Sequence, residues 1–234
     1  SAGFDPAFAQ ETAPAPEQIG TRWLAWLGSW KLVSDTADKT EDGDYLLKIV
    51  PGSDVRSAVM KSYRGDALQM ETKIVVDGSR QPTPDSRCPG WYSYAWSDSG
   101  NRLLFESESL CPGEFRNLVN GISILNNDRE WLDVQLLRKG EEQAISVRRY
   151  RPADRTGAAA PGSPRFLTGA NLSMDEVIEL SRKVPPELIA AVLVELNQPF
   201  KINAKVLNRL ADSGVNPQVV DLMVALSFAD KFRV

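Results

Sequence analysis

Histidine is absent from this chain of 234 residues. Its absence excludes serine–histidine–aspartate and cysteine–histidine catalysis, histidine-ligated zinc and imidazole proton shuttles. The only cysteines are Cys88 and Cys111. Two cysteines cannot form a four-cysteine zinc site, and these two lie too far apart for a Cys-x-x-Cys redox pair. The sequence therefore predicts no metal site and no cofactor.

An excess of positive charge and a long apolar run are also missing. The net charge is −4, which offers no basic surface for phosphates, so we expect no nucleic-acid partner. No apolar run approaches the roughly 20 residues that a spanning helix needs, so we expect no transmembrane segment. With 42% hydrophobic and 25% charged residues, the chain has the composition of one large globular domain or two small ones.

No set of residues has the pattern of a catalytic site. Glu106 and Glu108 share one face of a predicted strand, but that face is opposite to Phe105, so both carboxylates are expected in solvent. Asp128 and Glu130 flank a predicted turn, which is also a usual place for surface charge. The serines have no base beside them in the sequence. We therefore predict a protein that is not an enzyme, with no catalytic residues.

The two cysteines are spaced symmetrically about a predicted hairpin turn. With Ser99-Gly100 at the centre of the turn, Tyr94 faces Phe105, and Cys88 faces Cys111. This register predicts a disulfide in preference to two buried free thiols. Since disulfides persist in oxidising compartments, it also predicts an extracytoplasmic location: periplasmic, secreted or attached to the cell envelope.

Composition divides the chain into four parts. Residues 1–20 are rich in alanine, proline and glutamine, and we expect a flexible arm on an exported protein whose export signal precedes it. Residues 21–152 form the β region, in which apolar residues alternate with polar ones. Residues 153–171, with the run Gly-Ala-Ala-Ala-Pro-Gly-Ser-Pro, form a linker, and residues 172–234 have helical periodicity.

The β region predicts eight or nine antiparallel strands in a meander that closes into a barrel. The strands are expected near residues 29–34, 44–50, 57–64, 67–76, 91–97, 102–109, 115–125, 130–137 and 143–151. Turn residues separate them every eight to twelve positions, and barrel closure would leave no exposed edge. In the strand at 67–76, residues 68, 70, 72, 74 and 76 predict one buried face.

The C-terminal part predicts about four short helices in an internal repeat. Ser173 and Asn203 are suitable N-cap residues, and Glu176 completes a capping box with Ser173. Leu180 of the first copy matches Leu210 of the second. Each helix has one apolar stripe, so the helices must pack together to bury it. The phenylalanines near Val234 indicate either docking onto these helices or a chain that continues further.

The segment Gly28-Ser29-Trp30, which follows a short aromatic helical turn around Trp23 and Trp26, resembles the start of lipocalin and calycin barrels. In that family an arginine of the last strand packs over the tryptophan. The resemblance implies this role for Arg148 or Arg149, and we prefer Arg149 because it shares parity with Ile145 and Val147. It also implies a small apolar ligand inside the barrel. The alternative is a generic antiparallel barrel or sandwich with a buried tryptophan.

The inner face of the disulfide hairpin would line such a ligand site. The predicted lining residues are Tyr92, Tyr94, Trp96, Leu103 and Phe105, joined by Met70 and Ile74 from the strand at 67–76. We expect plain core packing for most of these side chains, with a ligand cavity as the alternative, because an eight-stranded barrel is only just wide enough for one ligand.

The helical repeat resembles tandem helical segments of uncharacterised secreted or envelope proteins of bacteria. Two functions therefore compete. The first is an extracytoplasmic bacterial barrel that binds a small apolar ligand without catalysis. The second is a structural or adaptor protein of the cell envelope, in which residues 172–234 dock another envelope protein.

Overall fold

The computed structural model describes residues 20–36, 45–83, 86–113, 115–126, 129–153 and 171–232. These residues form one antiparallel sheet of ten strands and four α-helices. The strands are β1 (Gly28–Asp35), β2 (Tyr45–Pro51), β3 (Ser57–Arg64), β4 (Ala67–Val75), β5 (Gln81–Pro82), β6 (Gly90–Trp96), β7 (Arg102–Leu110), β8 (Arg116–Leu125), β9 (Trp131–Lys139) and β10 (Glu142–Pro152).

The sheet is a meander whose first and last strands are neighbours. Its order is β4-β3-β2-β1-β10-β9-β8-β7-β6-β5, so β1 and β10 lie in the middle. The sheet curls until the residues after β4 reach β6. Asp77 forms an isolated bridge with Ala95, and the Gly78 N–H donates to the Tyr94 carbonyl at 2.9 Å. This contact brings the two ends of the curled sheet together.

The predicted fold class, an antiparallel meander barrel followed by about four helices, is confirmed. All nine predicted strands are present. The tenth, β5, has two residues and includes Pro82, so it is too short to show alternation. The hairpin register is confirmed, since Tyr94 pairs with Phe105. The disulfide between Cys88 and Cys111 is also confirmed.

Strand β4 differs from its prediction. Ile74 is buried, but Leu68 and Met70 are 51% and 45% exposed, so the alternating face is covered only near the end of the strand. The expectation that this whole face is buried was wrong. Around Leu68 and Met70, none of the described strands pairs with the free edge of β4. Alternation in a sequence does not show how much of a strand is covered.

The helices are α1 (Met174–Lys183), α2 (Pro186–Leu196), α3 (Ala204–Asp212) and α4 (Pro217–Ser227). The capping box of Ser173 and Glu176 is present, and the Asn203 side chain accepts a hydrogen bond from the Val206 N–H. Helices α2 and α4 begin with proline at the first helical position, which suits the fixed φ angle of that residue.

The helices cover the outer face of the sheet. One apolar cluster joins buried side chains of α1 to α4, such as Leu180 and Val192, to strand residues that include Ile122, Val134 and Leu136. The apolar stripes are therefore buried against β-strands as well as against other helices. The interpretation of the helices as an internal repeat and the division into separate domains stay predictions, and most of the predicted linker lies outside the described residues.

Buried charge fixes the first helix to the β6–β7 turn. Arg102, which is 1% exposed, forms an ion pair with Glu176 at 3.3 Å and donates to the Asn171 carbonyl at 2.9 Å. Lys183 bridges Asp98 and Glu179 at 2.7 and 2.6 Å. Breaking a buried ion pair is costly because one charge remains uncompensated, so this turn holds α1 in one position.

Candidate functional site

The helices cover one face of strands β7 to β10, so the opposite face of these strands is the inner one. Successive side chains of a strand point to opposite sides of the sheet. Leu132, Val134 and Leu136 contact the helices, so Trp131 and Asp133 face the barrel interior. By the same alternation Phe105, Ser123, Gln135, Arg148 and Tyr150 also face inward.

A cluster of tryptophans closes one end of the interior. We call Trp23, Trp26, Trp30, Trp96 and Trp131 the tryptophan floor. Their rings form a chain with centroid separations from 5.1 to 6.1 Å. Trp30 has no exposed surface, and its indole N–H donates to the Trp26 carbonyl at 2.8 Å. The short helical turn before β1 therefore lies at the same end of the barrel as Trp30.

The arginine over Trp30 is not the one preferred from the sequence. The guanidinium carbon of Arg129, in the β8–β9 turn, lies 5.7 Å from the centre of the Trp30 ring. Arg149 instead forms ion pairs with Glu195 of α2 at 2.6 Å and Glu130 at 3.8 Å. The preference for Arg149 assumed that the aliphatic face of β10 points inward, but that face lies outside.

The predicted lining residues divide into three groups. Ile74 and Leu103 are buried in the apolar cluster around the tryptophan floor, and Trp96 packs against it, as Tyr94 also does. Met70 is exposed on β4 and is not brought to the others. The remaining three form an aromatic wall above the floor, and these are Tyr92, Tyr94 and Phe105.

The aromatic wall keeps accessible surface. The rings of Tyr94 and Phe105 are 4.8 Å apart, and both side chains are only half-buried although they point inward. Burial, with the negative charge of Asp133, still raises the pKa of Tyr94. The Tyr92 hydroxyl donates to the Lys73 carbonyl at 3.1 Å, so Tyr92 also helps to join β6 to β4.

A set of polar side chains, which we call the polar centre, lies inside the barrel. Its first half is an ion pair between Arg148 Nε and Asp35 Oδ2 at 2.8 Å. A register shift between Leu32 and Ser34 places Asp35 opposite Arg148, on the inner face, where unbroken alternation would have turned it outward. Ser146 Oγ lies 3.5 Å from Asp35 Oδ1.

The second half of the polar centre is Asp133, which is 8% exposed. Its Oδ1 accepts a hydrogen bond from Ser123 Oγ at 2.6 Å, and its Oδ2 accepts one from Gln135 Nε2 at 2.8 Å. Burial raises the pKa of Asp133, and Asp35 adds to this effect, whereas Ser123, Arg148 and Gln135 oppose it. Buried polar groups that stabilise one another in this way can hold the polar part of a ligand.

The polar centre was missed in the sequence because its members come from four different strands. A signal was present, however: Asp133 interrupts an otherwise apolar run in β9, between Leu132 and Val134. An isolated carboxylate in such a run marks either the wet face of a strand or a buried polar site.

No group of three or more aspartate, glutamate, cysteine or histidine side chains within the described ranges could hold a metal ion. Among the same residues, no helix has both the length and the apolar character that crossing a membrane requires.

Comparison with known proteins finds no matching family model and no matching curated protein. Solved structures that are similar to this chain include the following three. A secretory abundant heat soluble protein of Ramazzottius varieornatus is 12% identical, with a TM-score of 0.40 over 55% of this chain and 96% of that one. Zebrafish ileal bile acid-binding protein in complex with cholic acid is 10% identical, with a TM-score of 0.39 over 55% and 98%. Secretory abundant heat soluble protein 4 of R. varieornatus is 15% identical, with a TM-score of 0.39 over 58% and 98%.

Proposed function

We propose that this protein binds a small apolar molecule inside its barrel, without catalysis, between the aromatic wall and the polar centre. One observation carries the proposal. Tyr94, Phe105, Gln135 and Arg148 point inward from neighbouring strands and all remain half-buried. Side chains that only filled a core would be sealed, as Val134 is on the outer face.

The chemistry of this interior suits a ligand with an apolar body. The aromatic wall provides apolar contact surface, and a few polar groups converge at one place, which is the usual composition of a small-molecule site. The tryptophan floor closes one end, so the ligand would lie above it, toward the end that carries the disulfide.

A cavity-filling substitution tests this proposal. Gly121 faces Phe105 and Gln135 across the sheet, and a Cβ atom there would lie 3.3 Å from the Gln135 side chain and 3.5 Å from that of Phe105. The 3.3 Å contact requires the Gln135 side chain to shift by a few tenths of an ångström, and the rest of the new side chain in Gly121→Leu should then occupy the interior. The probe is Nile red, an uncharged apolar dye, followed by energy transfer from the tryptophans.

We expect saturable binding of one Nile red per chain and its loss in Gly121→Leu. The matched control is Ser34→Leu, which adds a similar volume to an exposed position on the outer face of β1. The control should bind as the unmodified protein does. Binding that does not saturate, or that survives Gly121→Leu unchanged, would show that the interior is not the site.

The second candidate function is a structural or adaptor role, in which residues 172–234 dock another envelope protein. The observation that favours this second function is the exposure of three apolar side chains in the helical part, Val194, Phe228 and Phe232. The Nile red titration separates the two functions, because an adaptor barrel filled by its own side chains would exclude the dye.

We also propose an extracytoplasmic location, which the disulfide supports. A bridge between Cys88 and Cys111 would not persist in a reducing cytosol. Mass spectrometry of the protein from its own host, alkylated before any reduction, should find no free thiol, and the same sample measured under native conditions should retain the small molecule.

A further inference from the structure

We infer that the polar end of the ligand is an uncharged hydrogen-bonding group, such as a hydroxyl, that binds at Asp133, and that the interior disfavours carboxylates. This inference rests on the proposed function. It concerns which apolar molecules the barrel accepts.

The first argument is the charge of the polar centre. Among the described side chains of the polar centre, Arg148 is the cation, and it faces two carboxylates, Asp35 and Asp133. The formal charges of these three side chains add up to −1 when Asp133 is ionised and to zero when it is protonated. A ligand carboxylate would add another negative charge to a recessed space, where charges are screened less than in water.

The second argument is that Arg148 is already engaged. Its Nε atom donates to Asp35 at 2.8 Å, and only 9% of the Asp35 side chain is exposed. A ligand carboxylate that took this donor would leave Asp35 buried with less compensation. Removing the partner of a buried charge is among the most unfavourable changes in a protein interior, so the exchange is opposed.

The third argument is the hydrogen-bonding capacity that remains. Each oxygen of the Asp133 carboxylate accepts one protein hydrogen bond, and a carboxylate oxygen has two lone pairs. A hydroxyl of an uncharged ligand can donate to one of these remaining lone pairs, whereas a ligand carboxylate has no proton to donate.

Three probes of equal chain length test the inference: decanol, decanoate and decylamine, each used to displace Nile red at pH 7. We expect decanol to displace the dye at the lowest concentration. Because any carboxylate loses solvation on burial, the unmodified protein alone does not isolate the effect of the polar centre.

The variant Asp35→Asn isolates the effect of the polar centre, because this change frees Arg148 from its ion pair and makes the polar centre more positive. We expect the variant to bind decanoate about tenfold more tightly than the unmodified protein does, and decanol almost unchanged. The matched control is Asp175→Asn, which removes an exposed carboxylate that pairs with Arg209 on the helices. It should change neither affinity.

Two results would overturn the inference while leaving the proposed function intact. One is displacement by decanoate or decylamine at a lower concentration than decanol. The other is unchanged decanoate affinity in Asp35→Asn while that variant still binds Nile red. Failure of Nile red to bind the unmodified protein would instead refute the proposed function.

Discussion

The two faces of strands β7 to β10 differ in chemistry although one backbone carries both. The outer face is aliphatic and sealed, with Ile122, Val134 and Leu136 at most 1% exposed beneath the helices. The inner face carries Ser123, Asp133, Gln135 and Arg148 together with aromatic rings. In an ordinary small barrel the aliphatic residues would fill the interior.

The difference separates the face that stabilises the fold from the face that holds the proposed binding site. The aliphatic layer between the sheet and the helices buries apolar surface, which is the dominant favourable contribution to folding. The barrel interior above the tryptophan floor is therefore not needed as a core. Polar groups that cost stability can be kept there, as is usual at functional sites.

The largest effect should come from the one part of the interior that is packed. Trp30→Ala removes a ring with no exposed surface, and we expect the free energy of unfolding to fall by about 3–5 kcal/mol. Denaturant unfolding measures it. Leu24→Ala is the control, since Leu24 is 42% exposed in the same segment and should change stability by less than about 0.5 kcal/mol. Equal effects of the two would mean that the floor is not a core.

Neighbouring residues of β9 compare the two faces directly. Leu136→Ala should lower the free energy of unfolding by about 2–5 kcal/mol, because it leaves a cavity beneath the helices. Gln135→Ala removes one hydrogen bond to Asp133 from a half-buried position and should cost about 1 kcal/mol. The same denaturant titration measures both. A larger loss in Gln135→Ala would reverse the assignment of faces.

The disulfide should matter more to the hairpin than to the helical layer. Replacing both Cys88 and Cys111 by serine should lower the free energy of unfolding by about 3 kcal/mol, since the bridge restricts the unfolded chain. Below the melting transition, hydrogen exchange should increase in β6 and β7 and stay unchanged in α1 to α4. Faster exchange in the helices alone would contradict this expectation.

The smallest effect concerns pH. Burial raises the pKa of Asp133, so between its unfolded and folded pKa values the folded state binds more protons. Stability contributed by this group is thus present at low pH and lost as the pH rises through the folded pKa. Asp133→Asn has no such loss, and its stability relative to the unmodified protein should increase from pH 4 to pH 7. A relative decrease would mean that ionised Asp133 stabilises the inner face.

Local pattern was enough to predict the strands and the disulfide. Alternation and turn residues located nine strands, and symmetry about Ser99-Gly100 paired Cys88 with Cys111. Helix starts were equally visible, because a capping residue such as Ser173 acts on groups within one turn. All of these features depend on residues close in sequence or on one hairpin register.

The assignment of inside and outside could not be predicted in the same way. Alternation separates two faces but does not say which of them a distant helix will cover, so Arg149 was placed inward in preference to Arg148. The register shift after Leu32 also carries no sequence signal, yet it alone brings Asp35 to the polar centre. The pairing of whole strands brings together Ser123, Asp133 and Arg148.

The central position of β1 and β10 has a consequence for the order in which the barrel forms. Pairing Trp30 with Pro152 closes a loop of about 120 residues, at a chain-entropy cost of about 4 kcal/mol. Hairpins such as β3–β4 and β8–β9 close short loops and should therefore form first. During synthesis, Trp23 and Trp26 emerge long before Trp131 and remain unburied until the last hairpin is complete. The tryptophan floor is thus completed last, and any delay in making β10 leaves Trp23 and Trp26 exposed for longer.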